Sequence, residues 1–154
     1  MITWTTQIAL HVMLMTGTTP TYAQAVKLAQ KQNKPLVVFV GANWCPGCQT
    51  MKHEKLPEIK RKGIFKNVVF TMVNTDQQPE LTQRLLTTNS IPQLVLFVKG
   101  PRGWHRAALI GVNEPEAVRQ FLAHETATAR GTGQLAETKG KTGPAARGQT
   151  LTNQ

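Results

Sequence analysis

Two thiols separated by two residues can pass a pair of electrons between themselves and a partner. The chain holds one such pair, Cys45 and Cys48, within Trp44-Cys45-Pro46-Gly47-Cys48, and these are its only cysteines. A disulfide between them closes so short a loop that it removes little entropy from the unfolded chain, so stapling is a poor reason for their presence. A four-cysteine zinc site needs a second pair, which the chain lacks. What fits best is chemistry at sulfur: one thiolate attacks a disulfide, and the second thiol resolves the product. Two thiolates can also hold Cu(I), or share Zn²⁺ across a dimer, and the residues alone leave that metal-handling alternative open.

Thiol exchange needs a thiolate near neutral pH, and the flanking sequence is suited to supply one. Leu36-Val37-Val38-Phe39-Val40 is a continuous apolar run, the pattern of a central strand covered on both faces. Gly41-Ala42-Asn43 makes a loop, and the Cys pair then opens a helix expected to run to about Lys55. Cys45 is thereby placed at a helix N-terminus, where unpaired N–H groups and the macrodipole favour negative charge. Its pKa is expected below the free value of ~8.5. Pro46 suits the first helical turn, where a missing N–H costs nothing. Gly47 leaves room for a substrate to approach, and Cys48, one turn further in, is the expected resolving thiol.

Stepping outward along the chain, Ala23, Val26, Leu28, Ala29 and Gln30 read as members of a helix with Lys27, Lys31 and Lys34 toward water, ended by Asn33-Lys34-Pro35. Pro57 is expected to restart the chain in a short basic segment ending at Gly63. Val68–Asn74 reads as a buried strand, Leu81–Leu86 as a helix, Leu94–Val98 as a third apolar strand and Trp104–Ile110 as an edge strand. Glu114 to about His124 closes the domain as an amphipathic helix. The expected organisation is an N-terminal strand or signal-like segment (1–19), a domain (20–125) and a disordered basic tail (126–154), rich in Thr, Gly, Ala and Gln. The alternation of Ile8, Leu10, Val12 and Leu14 fits a half-buried strand. The same run fits a secretory signal, although no Lys or Arg precedes it. It is too short to span a bilayer, so no transmembrane segment is expected.

The order and spacing of four segments resemble the thioredoxin superfamily. Trp44-Cys45-Pro46-Gly47-Cys48 is similar to its active site, and Asn74-Thr75-Asp76-Gln77-Gln78-Pro79 to the stretch after its third strand. Ser90-Ile91-Pro92-Gln93-Leu94 resembles its cis-proline loop, and Gly111 the glycine before its last helix. The match covers about residues 20–125 and is nearest to bacterial single-domain members with Lys-Pro before the first central strand, as at Lys34-Pro35. The resemblance implies an α/β thioredoxin-like fold, a central mixed β-sheet flanked by helices on both faces. It implies Cys45 as nucleophile, Cys48 as resolver and Pro92 as a cis-proline against the disulfide. Ile91 would pair its backbone with an extended substrate segment, and Trp44 would shield the sulfurs. The implied activity is protein disulfide oxidoreduction by dithiol exchange, with no cofactor and no metal. The partners are protein dithiols or disulfides and a recycling reductase or oxidase.

The sequence departs from its relatives in two ways. Phe39 stands where they often bury a carboxylate, and Met72 replaces the lysine that partners it, so the proton relay is expected to differ or to be slower. The dipeptide is Pro-Gly where thioredoxins carry Gly-Pro, a resemblance to glutaredoxins and periplasmic oxidases, while Ile91 before the proline resembles reducing thioredoxins. Potentials in the superfamily span about −270 to about −120 mV, and the sequence assigns no direction of electron flow. A non-catalytic thioredoxin-like scaffold is the third reading. With 18 Lys and Arg against 8 Asp and Glu the chain is strongly basic. It has no arginine-rich run or aromatic-interleaved basic motif, so no nucleic-acid partner is expected. A monomer is expected; cytoplasm and bacterial periplasm both fit. Lys52 is expected as a solvated lysine, His53 as a surface histidine, Asp76 as a turn residue, and Met13, Met15, Met51 and Met72 as core fillers.

Overall fold

A computed structural model describes residues 19–131. The N-terminal strand or signal expected over 1–19 therefore lies outside the described residues except for Thr19. So does the expected tail beyond 131.

Helix α1, Tyr22–Gln32, starts on a capping box: Gln24 N–H donates to Thr21 Oγ1 and Thr21 N–H donates to Gln24 Oε1. It ends at Asn33, whose left-handed φ of 51° turns the chain toward Pro35. Strand β1, Leu36–Gly41, is buried along its whole length, as its unbroken apolar run requires. The chain then enters α2, Pro46–Thr50, passes through a π-helical turn at Met51–Lys55 and continues as α3, Leu56–Arg61. The helix therefore does not stop at Lys55, and Pro57 does not start a separate segment. Pro57 has no N–H to give and crowds the carbonyl four residues back. The widened turn answers both, with Leu56 N–H reaching back to Met51 O.

Strand β2, Val69–Asn74, helix α4, Pro79–Leu85, strands β3, Gln93–Gly100, and β4, Gly103–Ile110, and helix α5, Pro115–Ala129, complete the described chain. The four strands lie in the order β2-β1-β3-β4. β1 runs parallel to β2 and antiparallel to β3, with Leu36 opposite both Val69 and Phe97, and β4 pairs antiparallel with β3 at the edge. The sheet is mixed and the fold is α/β thioredoxin-like.

Alternation along the strands builds two cores. Val37, Phe39, Leu94, Leu96 and Val98 face Met51, Leu56, Ile59, Val118 and Leu122 of the α2–α3 and α5 side. Val38, Val40, Val73 and Val95 face Ala25, Ala29 and Leu85 of the α1–α4 side. Both faces are buried, and Ala42, Cys45 and Cys48 at the end of β1 join the first of these cores. Helix α5 runs four residues past 125, correcting the expected start of the tail at 126. Thr126–Ala129 keep the helix because Ala129 packs against the first core and Glu125 is tied to β4, its Oε2 2.7 Å from His105 Nε2.

Candidate active site

The disulfide sits where β1 hands the chain to α2. Gly41 ends the strand close under Cys48: a Cβ there would lie 3.0 Å from Cys48 Sγ and 3.1 Å from the Phe39 ring, so a side chain at this position would crowd both. Cys45 is the N-cap of α2, and Pro46 takes the first helical position. Cys45 and Cys48 are joined by a disulfide with their Cα atoms 5.2 Å apart. Cys48 N–H donates to Cys45 Sγ at 3.2 Å. Both cysteines are buried, Cys45 at 6% exposure and Cys48 at 2%.

The Ile91–Pro92 bond is cis. Ile91 O lies 3.9 Å from Cys45 Sγ. A Cβ on Gly47 would come 3.4 Å from Pro92 Cδ and 3.2 Å from Val112 Cγ2, so the Cys turn, the Pro92 loop and the turn after β4 meet at Gly47. Gly111, with φ 86°, anchors that third turn by donating its N–H to Pro92 O at 2.8 Å. Asn113 N–H reaches Met51 Sδ at 3.3 Å. The seven residues singled out in the sequence (Trp44, Cys45, Pro46, Gly47, Cys48, Ile91 and Pro92) thus occur on two adjoining segments, the β1–α2 junction with the first turn of α2 and the loop before β3.

Trp44 is 69% exposed beside the disulfide, and with exposed Val112 and Ile110 it gives this end an apolar surface. Its Nε1–H donates to Asp76 Oδ1 at 3.1 Å. Asp76, expected to be a turn residue only, also holds the tryptophan. The pair is 32 residues apart, and the only signal for it was the Asn74–Pro79 segment. Val112 and Asn113 also reach the site and were not singled out. Behind Cys48 lies a cavity of about 50 Å³ lined by Phe39, Ala42, Lys52, Met72 and Asn74 among others, with no carboxylate. Lys52 is exposed and lines it, and His53 is exposed, its Nε2 2.9 Å from Gln49 Oε1.

A larger groove of about 570 Å³, lined by Lys62, Ile64, Arg119, Leu122 and Arg130 among others, includes Pro35 at the start of β1. It is therefore at the other end of the sheet from the disulfide. Among the described residues no three His, Cys, Asp or Glu side chains gather to hold a metal ion. No described helix is long and apolar enough to cross a membrane.

Residues 22–126 match the family described as the thioredoxin-like domain. Among solved structures, a thioredoxin from Thermus thermophilus is 25% identical with a TM-score of 0.58, covering 71% of this chain and 90% of its own. Trxlp from Edwardsiella tarda EIB202 is 27% identical with a TM-score of 0.52, covering 67% and 95%. The germline-specific thioredoxin Deadhead from Drosophila melanogaster, at 22% identity and a TM-score of 0.52, shares the fold. No curated protein matches the sequence.

Proposed function

Since the chain belongs to the thioredoxin-like family, we propose that it is a protein thiol–disulfide oxidoreductase working by dithiol exchange at Cys45 and Cys48. The carrying observation is Cys45 at a helix N-cap, its sulfur accepting Cys48 N–H and lying 3.9 Å from Ile91 O in the cis-Pro92 loop. In the reduced form that N–H and the helix terminus favour the Cys45 thiolate.

The thiolate attacks one sulfur of a substrate disulfide. A Cys45–substrate S–S bond forms, the substrate S–S bond breaks, and the second substrate sulfur leaves as a thiolate that takes up a proton. Cys48 then loses its proton and attacks Cys45 Sγ, forming the intramolecular disulfide and releasing the first substrate sulfur as a thiol. Two electrons pass from the Cys pair to the substrate, and a dithiol or other two-electron reductant returns them; the reverse sequence oxidises a substrate dithiol. Phe39 and Met72 behind Cys48 offer its proton no carboxylate, so the proton passes to solvent or to the departing substrate thiolate. Extended backbone docks at Ile91, with Trp44, Pro46 and Gly47 bordering it. Cys45→Ser is expected to abolish the dithiol-dependent reduction of insulin; unchanged turnover would overturn the assignment.

A further inference from the structure

A glutamine at 0% exposure in the middle of a sheet is costly unless its amide is fully paired. Gln93 is such a residue. It is the first residue of β3, opposite Val40 on one side and Ile110 on the other, so its backbone is fixed by both neighbouring strands. Its side chain pairs with neither strand. Nε2 donates to Ser90 O at 2.7 Å, and to Thr88 O and Thr88 Oγ1 at 3.0 Å each. Oε1 accepts from Thr87 Oγ1 at 3.0 Å and from Thr87 N–H at 3.3 Å. The amide's orientation is fixed by this set, since only the NH₂ end can serve two carbonyls.

All five contacts fall on three residues of one loop, Thr87–Ser90, whose side chains are themselves exposed. The loop leads directly into Ile91 and cis-Pro92. Ser90 O is gripped by Gln93 on one side of Ile91, and Pro92 O by Gly111 N–H on the other. Between these anchors Ile91 N–H has no partner among the described residues, and Ile91 O faces Cys45 Sγ. A loop of exposed Thr, Asn and Ser has no apolar side chain with which to hold itself against the sheet, and the buried amide supplies that attachment.

We propose that Gln93 is a positioning residue for protein disulfide exchange: its buried amide holds Thr87–Ser90 so that the free backbone edge of Ile91 is presented beside Cys45 to an extended polypeptide. The inference rests on the function proposed above. A small disulfide needs only the Cys pair, whereas a polypeptide also needs the edge, so the two substrates separate docking from sulfur chemistry.

The test compares wild type with Gln93→Met, which keeps length and apolar bulk but makes none of the five bonds. Three quantities are read: KM and kcat for insulin, the rate with hydroxyethyl disulfide, and the reduction potential of the Cys pair. The expected result is a rise in insulin KM on the order of tenfold, the loss of about one good hydrogen bond's worth of docking, with the other two readings unchanged. An unchanged insulin KM overturns the proposal. A parallel fall with both substrates, or a shifted potential, also overturns it, because Gln93 would then act on the Cys pair. If Gln93→Met fails to fold, Gln93→Glu, which keeps the shape but loses the NH₂ donors, decides by the same criteria. Failure of the wild type to reduce insulin removes the underlying reading, and is visible without any Gln93 variant.

Discussion

Replacing Met51 with alanine probes the link between the core and the site. Met51 is completely buried in the π-helical turn and belongs to the core cluster that contains Cys45, Cys48 and Phe39. Its sulfur also accepts Asn113 N–H at 3.3 Å, which steadies the turn carrying Val112 to within reach of Gly47. Truncation removes three heavy atoms beyond Cβ. At about 0.8 kcal/mol per methylene-sized group the transfer loss is about 2.4 kcal/mol. The void it leaves in a rigid two-sided core adds to this, and buried Met→Ala changes fall at about 2–5 kcal/mol. The unpaired Asn113 N–H adds about 0.5 kcal/mol, since sulfur is a weak acceptor. A loss of about 3–4 kcal/mol is expected, read as a lower urea midpoint at unchanged slope. For a domain of this size that corresponds to a fall of about 12–16 °C in Tm. Met51→Leu, which nearly conserves volume, is expected to cost less than about 1.5 kcal/mol. A loss below about 1.5 kcal/mol for Met51→Ala would refute the reasoning, because the surroundings would then collapse into the void rather than hold their shape around the disulfide.

At Gly47 the cleft between the Cys turn and Pro92 is already at contact distance for one added carbon. Gly47→Val is expected to lower kcat/KM for insulin on the order of tenfold or more, and Gly47→Ala by less; equal activity of the valine variant would show that substrates do not use this cleft. Acid stability offers a separate check at Glu125. Burial raises its pKa, but the hydrogen bonds and charges of His105 and His124 outweigh this and leave it below the usual carboxylate value. A lowered folded pKa stabilises the fold above the unfolded value of ~4.3 and loses that stabilisation as pH falls through the folded pKa. Glu125→Gln is therefore expected to flatten the fall of the urea midpoint below about pH 5; an identical acid limb would dismiss the contribution.

The legible parts of this protein were those encoded locally. The unbroken Leu36–Val40 run specified a strand with two dry faces, and it lies at the sheet's centre with β2 and β3 on either side. Cys45 before Pro46 marked a helix start, and the helix starts there. Ile91-Pro92 was placed beside the Cys pair by resemblance, and Ile91 O lies near Cys45 Sγ. What the sequence hid depended on distant partners. Asp76 looks like any turn residue until the fold brings it to Trp44. Gln93 looks like a polar interruption before an apolar strand, because its partners are loop hydroxyls and carbonyls that no periodicity reports. Pro57 suggested a break, yet a π-helical turn absorbs a proline without ending the helix. Thr126–Ala129 have the composition of a tail and are helical because tertiary contacts at Glu125 and Ala129 hold them.

The most direct test of the central claim is to trap the mixed disulfide. Reduced Cys48→Ser protein, offered oxidised insulin and quenched with an alkylating agent, is examined by peptide mass mapping. The account predicts a covalent adduct on Cys45 that a dithiol reductant releases, and none in Cys45→Ser protein with Cys48 intact. No adduct on Cys45, or one that forms equally well through Cys48 alone, would contradict it.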